Sequence, residues 1–152
     1  MSTPGADPGL LDLYKLAVEM ADRVSARRGA ANTFFLSVQG AVVAALGFLS
    51  SQSPEPAKRY LIAMCVVGVA ASLVWFLLLR SYRDLNRAKF EVILRLEHDL
   101  PVALFADEWS SLKKDPIARW RGRYAELGSV ERLGPALFGA IDLVLASFIL
   151  FS

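Results

Sequence analysis

The chain has 152 residues, 55% of them hydrophobic, with a mean hydropathy of +0.40 and 17 Lys and Arg against 15 Asp and Glu. One domain's length thus carries more apolar residues than a soluble domain of that size ordinarily holds, which puts the membrane class first. A single cysteine, Cys65, excludes an intrachain disulfide and a cysteine metal cluster.

Residues 1–9 hold Pro4, Pro8 and two glycines without periodicity and read as a flexible tail. Asp7-Pro8 is a good helix start, a capping side chain followed by a residue whose missing N–H is not needed in the first turn. Over 10–32 a stripe of Leu10, Leu13, Ala17, Met20, Val24, Arg27 and Ala31 recurs at three- and four-residue steps and predicts an amphipathic helix that wants a partner. No proline follows before Pro54, so this helix continues into the first apolar run, Thr33–Ser50. The early charges, Lys15, Arg23, Arg27 and Arg28, leave no room for a signal peptide ahead of that run.

Turn chemistry at 51–59 ends the run, and so short a connection makes the spans on either side antiparallel neighbours. The second run, Tyr60–Leu79, continues into a charged helix over 80–100, whose stripe is Leu78, Tyr82, Leu85, Lys89, Val92, Leu96 and Leu100. Pairs four apart, Arg80–Asp84, Arg87–Glu91, Glu91–Arg95 and Arg95–Asp99, add a few tenths of a kcal/mol each. Pro101 ends this helix. Residues 101–132 are less regular, with helix starts at Asp107 and at Asp115-Pro116. Here Trp109, Trp120 and Tyr124 stand among Arg119, Arg121 and Arg123, which suits a membrane interface better than a nucleic-acid surface. Ser129 caps the last helix, Gly134-Pro135 kinks it, and 133–152 form the third apolar run.

Each run has the length an α-helix needs to cross roughly 30 Å of hydrocarbon, and together they contain one charged side chain, Asp142. Four Lys and Arg precede the first run, two lie in 51–59 and eleven in 80–132. Positive loops stay inside, so the N-terminus and the 80–132 segment are cytoplasmic and the C-terminus is at the outer face. The expected fold is an all-α membrane protein with three transmembrane helices. Its first two form an antiparallel hairpin extended into a cytosolic stalk, and apolar surface left over on the stalk is covered by further copies of the chain.

Asp142 costs roughly 2.5–3.5 kcal/mol in a span on insertion scales and must face a bundle interior, a pore or a polar partner. Gln39, Ser72 and Asp142 lie at similar depth and can form one polar layer. Such a layer either glues helices by hydrogen bonds or presents a ring of carboxylates to an oligomeric pore. Arg80, Arg83, Arg87 and Lys89 are positioned either to bind anionic lipid headgroups or to form stalk salt bridges. His98, the only histidine, makes neither a triad nor a metal site, and there is no phosphate loop. No catalytic residue, cofactor or metal is therefore expected.

Tyr14–Arg28, then Ala31-Asn-Thr-Phe-Phe-Leu-Ser37, Trp75-Phe76 and Arg80–Ile93 carry a resemblance, with Leu100-Pro101, Glu108-Trp109 and Val130-Glu131 in support. Together they resemble the RipA-type octameric proteins, a family of small bacterial inner-membrane proteins, over roughly Leu10–Pro135. The resemblance implies a homo-oligomer, an octamer by the family's description, in the cytoplasmic membrane; Asp142 matches no motif of that family. A weaker likeness is to two-span effector domains of bacterial defence systems, from which the third run departs. The leading functional expectation is a non-enzymatic scaffold whose partners are its own copies and membrane lipids. The alternative is an oligomeric channel or membrane-disrupting effector.

Overall fold

A computed structural model describes residues 8–51, 57–114 and 131–151. Among the described residues four helices follow one another: α1, Pro8–Ser50; α2, Ala57–Glu97; α3, Leu104–Lys114; and α4, Leu133–Phe151. No strand occurs among the described residues. Helix α1 has proline at its first position, and both α1 and α2 lack one in their interiors, so each hydrogen-bond ladder runs unbroken. With 43 and 41 residues they extend about 64 and 61 Å at 1.5 Å per residue, about twice a hydrocarbon core. α4, with 19 residues, reaches about 28 Å. Among the described residues three helices are long and apolar enough to cross a membrane: α1, α2 and α4.

Several boundaries depart from expectation. Helix α1 begins at Pro8, the start that Asp7-Pro8 offered and two residues ahead of the 10–32 segment, and α2 begins at Ala57, ahead of the apolar run at Tyr60. α2 ends at Glu97, three residues before Leu100, where turn bonds from Asp99 N–H to Leu96 O and from Leu100 N–H to Glu97 O take over. α3 starts three residues before Asp107, which lies in its first turn. Pro135 does not kink α4. It sits in the first turn, where its absent N–H has no intrahelical partner to lose, and the helical bonding opens with Ala136 N–H to Arg132 O at 3.3 Å. The Asp7 cap, the turn prolines, the Asp115-Pro116 start, the aromatic and basic residues at 119–124 and the Ser129 cap lie outside the described residues.

The chain divides into two compact units. One comprises residues 28–81 and 127–152. Here α1 and α2 are antiparallel: Leu46 clusters with Leu61 and Cys65, Gln39 bonds at Gly68 and Ser72, and Asn32 meets Trp75. Helix α4 closes the bundle, with Phe138 against Trp75 and Ala146 and Ile149 against the Val42–Cys65 cluster. Phe35 and Trp75 stack with ring centroids 5.9 Å apart. The surface is inverted relative to a soluble protein, because Phe34, Phe48, Val66, Leu73, Val144 and Phe148 face outward. Hydroxyls in these helices bond back to their own carbonyls, Ser37 to Thr33 and Ser147 to Leu143, which satisfies them without water.

The other unit comprises residues 1–27 and 82–126. Its core gathers Tyr14, Ala21 and Ile93 with Ala17, Val18, Phe90, Leu96, Leu100 and Phe105. The predicted stripe is met in part: Val24 is buried and Ala17, Leu96 and Leu100 pack on this core, whereas Leu13 is 58% exposed and Met20 45%, and Leu85 and Val92 are exposed as well. Tyr14 and Glu97, positions on neither stripe, take the inner places, because α3 packs against this pair and draws the buried face towards itself. Of the four ion pairs expected four residues apart, only Arg87–Glu91 closes, at 3.4 Å. Asp84 turns to Arg83, and Asp99 lies beyond the helix end and out of register with Arg95. Exposed pairs of this kind are worth too little to dictate geometry.

Candidate functional site: two buried polar centres

The first centre lies within the three-helix bundle. Helix α1 supplies Gln39, fully buried, whose Nε2 donates to Gly68 O at 3.0 Å and to Ser72 Oγ at 2.5 Å on α2. From α4 comes Asp142, 1% exposed, whose carboxylate occupies the space that a side chain at position 68 would need. One turn earlier on α4, Gly139 allows close approach to Ser72, and Gly134 does the same for Trp75. Small residues therefore bring the backbones together where polar side chains cross between helices. Gly68 is the shared neighbour: its carbonyl takes the amide of Gln39 and its missing Cβ admits Asp142. Two buried oxygens, Gln39 Oε1 and Asp142 Oδ2, have no hydrogen-bond partner. Gln39, Ser72 and Asp142, expected as one layer, are all buried inside a single copy of the chain.

Two flanking contacts tie α1 to its neighbours. Trp75 Nε1 donates to Asn32 Oδ1 at 2.8 Å. Arg28 Nε lies 3.3 Å from Glu131 Oε2, with both side chains about four-fifths buried, just before α4 begins. Arg28 is one of the residues counted as an orientation signal; its pairing with Glu131 is invisible in the sequence, since 102 positions separate the two.

The second centre, in the other unit, is Glu97, 2% exposed. Its Oε1 accepts from Tyr14 Oη and from Phe105 N–H, both at 2.8 Å, and its Oε2 accepts from Ala106 N–H at 3.2 Å. Helix α3 starts after Ala103, whose carbonyl takes the Asp107 N–H, and alanine offers no capping side chain. The Glu97 carboxylate fills that role from the end of α2, bonding two first-turn donors and placing negative charge at the helix N-terminus. Burial above all, then the hydrogen bond and charge of Glu97, push the Tyr14 phenol up to about 12 from its ordinary 10.0. Sequence reasoning missed Glu97; its available signal is an acid in step with Phe90 and Ile93, on what proves to be the buried face of α2.

The remaining candidates are surface groups. Arg80 is exposed, Arg83 and Lys89 are partly buried, and Arg87 is exposed beside Glu91. His98 is exposed, with Nδ1 3.5 Å from Asp99 Oδ1. Among the described residues no three His, Cys, Asp or Glu side chains gather in a way that could hold a metal.

Searches of curated proteins and of solved structures return no match. A family model does match, over residues 11–151, which covers all four helices apart from the first residues of α1. This long match agrees with the resemblance carried by the Tyr14–Arg28 and Arg80–Ile93 segments, and with three helices fit to cross a membrane. The chain belongs to the octameric membrane protein family (8xMP).

Proposed function

We propose that this protein is a non-enzymatic scaffold of the bacterial inner membrane, with its N-terminus and the 80–132 segment in the cytoplasm and its C-terminus at the outer face. Self-association follows from membership of an octameric family. The observation that carries the scaffold reading is the burial of Gln39, Ser72 and Asp142 within one copy, which leaves apolar side chains to face lipid or neighbouring copies. A pore lined by those residues needs them on an outer face of the bundle instead.

A second observation supports assembly through the unit outside the spans. Leu13, Leu16 and Met20 share one face of α1, and Leu85 and Val92 one face of α2, all exposed in the single chain. Lipid does not cover a segment beyond the spans, and contiguous apolar surface in water marks an interaction site. Neighbouring copies supply that cover, turning the paired helices into a stalk shared around the octamer. Arg80, Arg83, Arg87 and Lys89 then serve as contacts for anionic headgroups, in keeping with the preponderance of basic residues in 80–132.

Purified protein in planar bilayers tests the reading. The scaffold shows no conductance at neutral or acidic pH. A cation current that disappears in Asp142→Ala establishes the channel instead.

A further inference from the structure

The bundle holds a carboxylate that nothing among the described residues neutralises. Asp142 is 1% exposed, and its Oδ2 has no hydrogen-bond partner. The three apolar runs contain no Lys, Arg or His. Asp142 lies against Gly68 on α2, whose carbonyl takes the amide of Gln39 from α1, and the buried Cys65 and Ser72, about one turn before and after Gly68, are uncharged as well. A second acceptor, Gln39 Oε1, is equally buried and equally unpartnered, because the amide is held with its Nε2 towards Gly68 O and Ser72 Oγ. Two orphaned acceptors around one glycine, one of them a carboxylate, are a costly arrangement that a bound cation relieves.

We propose that Asp142 and Gln39, beside Gly68, form an occluded site for one small monovalent cation, a proton or an alkali metal ion. The cation neutralises the carboxylate and supplies what both oxygens lack: a proton on Asp142 donates a hydrogen bond to an acceptor, and an alkali ion is coordinated by carboxylate and amide oxygens together. The site is built within one copy. It requires neither a lumen nor conductance, so it stands or falls separately from the scaffold role.

The test follows the thermal midpoint of the full-length protein in detergent along two axes, for the wild type and for Asp142→Asn. On the first, pH varies at fixed salt; on the second, sodium replaces choline at fixed pH and ionic strength. Because a ligand of the native state stabilises it, the wild-type midpoint rises by about 3 °C or more as pH falls or as sodium increases. Asp142→Asn lacks that rise. A response to pH alone identifies a proton, and a response to sodium at constant pH identifies an alkali ion. Wild type and Asp142→Asn responding alike along both axes overturn the proposal. Should Asp142→Asn fail to assemble, Gln39→Leu decides: the cation titration moves by about tenfold if the amide oxygen belongs to the site, a loss of about 1.4 kcal/mol. An unmoved titration overturns it.

Discussion

Replacing Glu97 by alanine removes three acceptor contacts at once and should release α3. The Tyr14 hydroxyl, 8% exposed as a residue, loses its acceptor, and the Phe105 and Ala106 N–H groups lose the cap that Ala103 cannot provide. A lost cap costs about 0.5–2 kcal/mol and an unsatisfied buried hydroxyl about 1–3 kcal/mol, so docking of α3 weakens by roughly 2–4 kcal/mol, allowing for water to reach part of the site. At 1.4 kcal/mol per tenfold, amide exchange over 104–114 accelerates by roughly 30- to 1000-fold, up to the limit that existing protection sets. Hydrogen exchange read by mass spectrometry on the detergent-solubilised protein resolves the effect by segment. Glu97→Gln keeps one acceptor oxygen and should fall between wild type and alanine. Unchanged protection over 104–114 in Glu97→Ala would refute the view that a carboxylate from α2 holds the start of α3.

Gly68→Ala should lower the thermal midpoint, since its methyl overlaps the Asp142 carboxylate, and overpacking of this kind costs about 1–3 kcal/mol. Gly47→Ala, where the new methyl meets nothing within 4 Å, should leave the midpoint unchanged or raise it. The Tyr14 phenol ionises at its ordinary 10.0 when unfolded and at about 12 when folded. The fold's preference for the neutral phenol is therefore complete below pH 10 and disappears between pH 10 and 12, a loss on the order of 2–3 kcal/mol. The phenolate absorbance titration of wild type minus Tyr14→Phe should show one group titrating near the upper value; titration at the ordinary value would contradict the buried Tyr14–Glu97 contact. For Arg28 and Glu131, 3.3 Å apart and largely buried, a double-mutant cycle with glutamine at each position should give a coupling of about 1 kcal/mol, and a coupling of zero would remove this tie at the entry to α4.

The large features were legible because hydropathy and proline placement speak for themselves. Three apolar runs lie within three helices, and a nine-residue interval between the first two makes an antiparallel pair the economical connection. The polar residues in the runs were also visible, because Asp142, Gln39 and Ser72 stand out against an apolar background. Their mutual arrangement was not. It depends on Gly68, an unremarkable glycine until α4 brings a carboxylate against it. Outside the spans the stripe caught Ala17, Val24, Leu96 and Leu100 but missed Tyr14 and Glu97, for a physical reason: α3 adds a third wall, and its cap requires Glu97 to face inward. Periodicity sees only the average apolar direction of a helix. It also misses pairings across many residues, such as Arg28 with Glu131 and Asn32 with Trp75.

The account rests on an octamer whose intramembrane polar side chains are enclosed within each copy, leaving apolar surfaces for lipid and for neighbours. A density map of detergent-solubilised particles, at a resolution that shows side chains, tests this most directly. The predicted result is eight copies, each with Asp142 against Gly68 between its own helices, and with Leu13, Leu16 and Met20 covered by an adjacent copy. A ring whose Asp142 carboxylates point into a central lumen would contradict it.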